Sequence, residues 1–342
     1  MKNVCLPMLA AAMLFSSLCL AACEAPKKAD PARPAKPFIG VLLYREDDIY
    51  ISMVSAAIRG ALEDRATVEV LAAKSDQLTQ IDQIEGLLAK KAQALAVNLV
   101  DPQAAALVAD KAKKIGIPVI FFNREPDLAS IKSYAGRTCF VGTKAADAGK
   151  LQGDIIKKLW DEHPVFDRNK DGKFQYIMLQ ANTDNPEAVA RTEYSVRQAM
   201  ERGVPMVQIG QTYMCDWNED LARQAVLLAL ASHGEEMELV IANNDSMALG
   251  AIAALAAYGY NTGNQERFIP VVGVDAIPQA IEAIQKGVMS ATVKQDAEAM
   301  GKTVAAILLN AVAGKGLLEG IPYAWDESGI AVRIPYAPYE GK

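Results

Sequence analysis

The chain has 342 residues, 51% of them hydrophobic, and a formal net charge of −6. A mildly acidic balance with no clustered Lys and Arg excludes a nucleic-acid partner, which needs a basic face. About 306 residues follow Lys36, enough for two domains of ordinary size.

The first segment has the anatomy of a secretory signal: Lys2, an apolar run from Leu9 to Leu18, and Leu20-Ala21-Ala22-Cys23 at its end. The apolar run falls short of the roughly 20 residues that a bilayer span needs. A cysteine after Leu-Ala-Ala resembles the bacterial lipobox. The expectation is therefore a lipoprotein signal peptide over 1–22 and lipidation of Cys23. Residues 24–36, EAPKKADPARPAK, lack apolar periodicity and read as a tether that completes a 23–36 lipidated segment. A lipobox cysteine carries several acyl chains, so the anchor should be stable. Of the later cysteines, Cys139 and Cys215 form one disulfide or stay free and buried; the spacing leaves both open.

From residue 37 the chain alternates strand and helix. Phe38–Tyr44 predicts a strand, Ile51–Glu63 a helix, Val68–Ala72 a strand and Leu78–Lys90 a helix. Ala94–Val100 and Pro118–Asn123 predict further strands around a helix at Pro102–Ile115. After Phe140–Thr143 the rhythm restarts, with helices at Ala145–Asp161, Pro186–Arg202, Asn218–Ser232, Asp245–Tyr258 and Ile277–Lys286. Between them lie strands at Gln175–Gln180, Met206–Tyr213, Leu239–Asn243, Ile269–Asp275 and Ser290–Lys294, and a long helix follows at Asp296–Ala313. Short apolar strands separated by helices predict parallel sheets covered on both faces. The fold class is α/β, with two doubly wound, Rossmann-like lobes. Ligands of such sheets sit outside the carboxyl ends of the strands. Asp47, Asp48, Asn98, Asn123, Asn243, Asn244 and Asp275 stand there, while Asp245 reads as a helix cap.

These segments carry a resemblance. IGVLLYREDD at 39–48, ALAVNLVDP at 94–102, FFNREP at 121–126, DRNKDGKFQ at 167–175, VIANNDSMALG at 240–250 and VVGVDAIPQA at 271–280 resemble the periplasmic galactose/glucose-binding proteins of ABC sugar transport. The likeness covers nearly all of the chain after the tether. It implies a type I periplasmic binding protein with a three-segment hinge. The lobes would be 37–143 plus 296–327 and 144–295 plus 328–342. By resemblance Asp48, Asn98, Arg191, Asn244 and Asp275 bond sugar hydroxyls, and Tyr50 replaces a stacking phenylalanine. Asn185 and Glu187 stand for a histidine and an aspartate, and Gln295 for an asparagine. The second stacking aromatic aligns at Cys215, but counting back from the next helix favours Trp217. Glucose and galactose stay undivided, and another monosaccharide or small polar ligand is the alternative.

Asp167, Asn169, Asp171 and Gly172 open an EF-hand-type loop, with oxygen side chains at alternate positions and glycine sixth. The twelfth position is Met178, not glutamate. The resemblance supplies Glu238 instead, with Lys173 (through its carbonyl) and Gln175 completing a structural Ca²⁺ site. It also implies a permease partner, a chemotaxis receptor as a further candidate partner, a periplasmic location with membrane contact through the lipid alone, and a monomer. A transcription regulator on the same core would need a helix-turn-helix where the signal stands. His163 and His233 lie near predicted helix ends, and no Gly-rich phosphate loop or Cys/His metal spacing occurs. The expectation is a binding protein, not an enzyme. An Asp48/Asp275 pair acting on a glycosidic bond is the weaker alternative.

Overall fold

The computed structural model describes residues 36–341. The expected signal, Cys23 and all but the end of the tether lie outside them. Each lobe is built on one six-stranded sheet. The first contains β1 (Phe38–Leu43), β2 (Thr67–Ala72), β3 (Ala94–Val97), β4 (Val119–Phe122), β5 (Thr138–Gly142) and β11 (Ala331–Arg333), in the order β11-β5-β4-β3-β1-β2. The second contains β6 (Phe174–Gln180), β7 (Met206–Met214), β8 (Leu239–Ala242), β9 (Val271–Asp275), β10 (Ala291–Gln295) and β12 (Tyr336–Tyr339), in the order β12-β10-β9-β8-β6-β7. All pairings are parallel except β10 with β12.

Burial on both faces explains the unbroken apolar runs: ALAV, VIFF and LVIA are wholly buried strands. The helices of the first lobe are α1 (Ile49–Leu62), α2 (Gln77–Ala89), α3 (Ala105–Ile115), the single turn α4 (Leu128–Ile131) and α10 (Ala297–Val312). The second lobe has α5 (Ala145–Glu162), α6 (Pro186–Glu201), α7 (Glu219–His233), α8 (Asp245–Ala257) and α9 (Pro278–Gln285). Several begin at an Asp or Asn whose side chain accepts a backbone N–H of the first turn, including Asp48, Asp76, Asn218 and Asp296. Helix α5 packs closely on α6 because of Gly153: a Cβ there would lie 2.5 Å from that of Gln198.

In each sheet the strand order reverses at one place, between β1 and β3 and between β6 and β8. These switch points are where a crevice opens at the strand ends. The chain crosses between the lobes after β5, after β10 and after β11. The third crossing departs from expectation. β11 pairs with β5, so residues 328–333 belong to the first lobe and the chain crosses at Ile334-Pro335, not after residue 327. A three-residue strand ending in arginine lacks the apolar run that would announce it. Among the described residues no helix is long and apolar enough to cross a membrane.

Candidate functional site

Between the carboxyl ends of the two sheets lies a cavity lined from both lobes. Tyr44, Asp48, Tyr50, Ile51, Asn123 and Arg124 line it from the first lobe. Glu187, Arg191, Trp217, Asn244, Asp275 and Gln295 line it from the second. At its mouth Arg45 bonds across the cleft to Asp216, Nη1 to Oδ2 at 3.3 Å and Nη2 to the carbonyl at 3.2 Å. Asp47 is not in the wall; it is exposed and pairs with Arg45.

On the first-lobe side, Asp48 caps α1 by accepting from Ile51 N at 3.0 Å, and its other oxygen accepts from Tyr44 Oη at 2.5 Å. The Arg124 guanidinium lies 3.8 Å from the centre of the Tyr44 ring, and its Nη1 donates to Val100 O at 2.7 Å. This cation–π stack fixes a charge and an aromatic together in the wall. The Tyr50 ring is buried, with its hydroxyl 3.7 Å from Met300 Sδ.

Two expected roles change. Asn98 is fully buried but outside the cavity wall. Its Oδ1 accepts from Tyr44 N, and its Nδ2 donates to Phe122 O and to Asn123 Oδ1, the last at 3.2 Å. The amide is consumed within the lobe, and Asn123, at φ 62°, is the residue that reaches the cavity. Asn185 likewise spends its side-chain oxygen on the N–H groups of Glu187 and Ala188 and borders the adjoining outer cleft.

The second-lobe side centres on Arg191, which is 2% exposed. Its Nη1 donates to Asn243 O at 2.8 Å, and its Nη2 donates to Gln295 Oε1 at 2.8 Å and to Tyr336 Oη at 3.0 Å. Glu187 and Asp275 lie 3.8 and 3.7 Å from the guanidinium. Burial pushes both carboxyls above their ordinary values, Asp275 well above, while Arg191 holds them down. Arg191 Nε and Gln295 Nε2 are buried with no protein acceptor. The Asp275 carboxylate has no protein donor in hydrogen-bond range among the described residues. Asp275 and Ala276 have φ values of 125° and 57°, backbone strain of the kind found at ligand clamps.

Trp217 lies in the wall and Cys215 does not. Cys215 is buried in the core, and like Cys139 it is a free thiol. Asp216 and Trp217 both adopt left-handed φ, 44° and 60°, which turns the indole to the cavity. At α8 the cap is Asn244, whose Oδ1 accepts from Met247 N at 3.0 Å; this leaves its amide nitrogen for the cavity. Asp245, expected as the cap, is instead a buried helix residue that accepts from Thr292 Oγ1 at 2.6 Å and Ile277 N at 3.0 Å.

Burial raises Asp245 from the ordinary 3.8 to about 7. A carboxyl raised in this way keeps its proton in the folded state where the unfolded chain has lost it. Stability therefore falls as pH rises from about 4 through about 7 and is recovered on acidification. Calorimetric melting should show a higher Tm at about pH 6 than at about pH 8, and Asp245→Asn should flatten that slope. A Tm that falls on going from the higher to the lower pH would count against a proton held here.

Asn243 accepts from Ala181 N and bonds Thr192, serving the frame of the site. Neither His163 nor His233 reaches the cavity. Sequence reasoning missed Tyr44, Ile51 and Arg124 and did not carry Asn123 from strand end to site. Tyr44 and Ile51 read as core residues, and Arg124 directly follows a strand-end asparagine.

The 167–175 loop lies on the second lobe and runs into the start of β6. Asp167 Oδ1 and Oδ2 accept from Asp171 N and Gly172 N, and Gly172 has φ 74°. Glu238, fully buried, reaches in from the start of β8 and accepts from the N–H groups of Arg168, Asn169 and Gln175. Burial raises its carboxyl and these N–H groups oppose the rise. Among the described residues no three His, Cys, Asp or Glu side chains form a cation cage by themselves. This set instead mixes three carboxylates with two amide oxygens and the Lys173 carbonyl. Gln175 Oε1 is buried without a donor while its Nε2 bonds Asp171 at 2.8 Å, so an oxygen is left for a hard cation.

Two doubly wound lobes with a polar, aromatic-walled cavity at both switch points define a solute-binding protein that encloses a small polyhydroxy ligand. The chain matches the periplasmic binding protein domain over residues 39–316 and belongs to that family. It is 37% identical over 302 residues to the D-galactose/methyl-galactoside binding periplasmic protein MglB of Haemophilus influenzae, covering 87% of this chain and 88% of that one. A solute-binding protein of an ABC transporter from Bacillus halodurans, solved with myo-inositol, superposes with a TM-score of 0.73 at 24% identity, over 91% of this chain and 96% of that one. One from Actinobacillus succinogenes, solved with D-allose, gives 0.74 at 19% identity over 90% and 98%. At those identities the two structures speak for the fold.

Proposed function

We propose that this protein is the substrate-binding component of an ABC sugar transporter, taking D-galactose or D-glucose in the interlobe cavity and handing it to a permease. The observation that carries the reading is the pairing in one cavity of unsatisfied donors, Arg191 Nε and Gln295 Nε2, with the buried carboxylates of Glu187 and Asp275. A hydroxyl both donates and accepts, so a sugar satisfies both sets at once. Tyr50 and Trp217 offer flat faces for the C–H surface of a pyranose. The relative in Haemophilus, named for galactose and methyl-galactoside, supports the choice of hexose.

Cys23 anchors the protein by lipid at a bacterial membrane, as the Leu-Ala-Ala-Cys segment suggests. Asp167, Asn169, Asp171, Lys173, Gln175 and Glu238 hold one Ca²⁺, which is structural and remote from the cavity. The protein acts as a monomer and binds rather than transforms its sugar. Its ligand-closed form also suits a chemotaxis receptor.

Calorimetric titration of the sugar-free protein with galactose, glucose, ribose and xylose tests the main reading. Tight binding of a hexose is expected. Asp48→Ala should lose it, and Trp217→Ala should weaken it by about 10-fold or more, as expected for a lost stacking face. Absence of heat with either hexose would overturn the specificity.

A further inference from the structure

The first and third interlobe crossings meet beside the cavity at one hydroxyl, and the second reaches the same arginine through Gln295. Tyr336 directly follows the third crossing, Thr143 lies in the first, and Gln295 ends the strand that leads into the second. Tyr336 Oη is 3.0 Å from Arg191 Nη2 and 2.8 Å from Thr143 Oγ1, and Thr143 Oγ1 is 3.3 Å from Glu187 Oε1. The ends of this chain of bonds fix its direction. A guanidinium only donates and an ionised carboxylate only accepts. Arg191 therefore donates to Tyr336, whose proton goes to Thr143, whose proton goes to Glu187. Glu187 lies one helical turn before Arg191 and 3.8 Å from it, so the ring closes. The crossings are also tied to each other: Ile334 N donates to Gly142 O at 2.7 Å, and Arg333 Nη1 to Thr143 O at 2.8 Å.

We propose that Tyr336 is a positioning residue for ligand binding, which together with Thr143 holds the Arg191–Glu187 pair in its binding geometry. Tyr336 and Thr143 are not in the cavity wall, whereas both ends of the ring are. Loss of either hydroxyl breaks the ring and loosens the two charged groups together. The inference rests on the sugar-binding reading.

The test measures calorimetric affinity of wild type, Tyr336→Phe, Thr143→Val and the double variant for galactose, glucose and other monosaccharides. Tyr336→Phe should weaken binding of the wild-type ligand about 10- to 100-fold, the size of a lost bond to a charged group. The unliganded Tm should stay within about 3 °C of wild type. Because both hydroxyls serve one ring, the double variant should bind no worse than the weaker single. Wild-type binding with Tyr336→Phe within twofold of it, or with additive losses in the double variant, would overturn the proposal and leave the sugar reading intact. Silence of wild type toward every sugar would overturn both.

Discussion

Arg191→Ala is expected to abolish measurable hexose binding and to cost more stability than any other single change in the cavity. Among the described residues, the guanidinium is the one cation that lies against both Glu187 and Asp275. Removing one partner of a buried ion pair destabilises by about 3–5 kcal/mol, because the other charge stays buried. Here two carboxylates are left, and they answer by taking up protons. That change turns acceptors into donors on the side of the cavity that a ligand needs as acceptors. The unliganded variant should therefore recover part of its Tm on acidification, as the two carboxyls neutralise. Calorimetry of binding and melting at two pH values checks both parts. A variant that melts like wild type and still binds would show that Arg191 is not the charge centre of the site.

Chelation of the Ca²⁺ proposed for the 167–175 loop is expected to have the second large effect. A cation at about 100 times its Kd adds about 2.7 kcal/mol to the folded state. For a chain of this size that corresponds to a Tm lower by about 5 °C or more after chelation, restored by Ca²⁺. Glu238→Gln should abolish the response, since its buried carboxylate is the charge that ties the loop to β8. Sugar affinity at a temperature below the melt should change little, because the loop stands apart from the cavity wall. A Tm indifferent to chelator and to added Ca²⁺ would remove the cation from the account.

Much of this architecture was legible in the chain. Apolar strand-length runs alternating with helices made the two lobes readable, and strand ends pointed to Asp48, Asn244 and Asp275. The choice between Asn98 and Asn123 was not legible, for a reason of register. Val97 pairs with Phe121, so Asn98 stands level with Phe122 and Asn123 projects one residue further. A sequence shows two asparagines after two strands; only pairing shows which one clears the sheet. Asn244 and Asp245 pose the same problem at a helix start, where one residue of phase separates a cap from a buried carboxyl. Tyr44 was hidden because its ring continues an apolar run, although its hydroxyl belongs to the cavity.

The segment from Ala331 onward bears on how the protein is made. β11 completes the first sheet and β12 the second, and α10, which packs on α1, is followed by both. Neither lobe is a contiguous stretch of chain, so neither can close its sheet while the C-terminus is still to come. The contacts that finish the first lobe join residues almost 200 positions apart, as between Phe140 and Ile330. Such long loops slow folding relative to local pairings. Newly synthesised chain therefore stays incomplete in both halves until its end is available, and a cut before residue 331 removes an edge strand from each lobe at once.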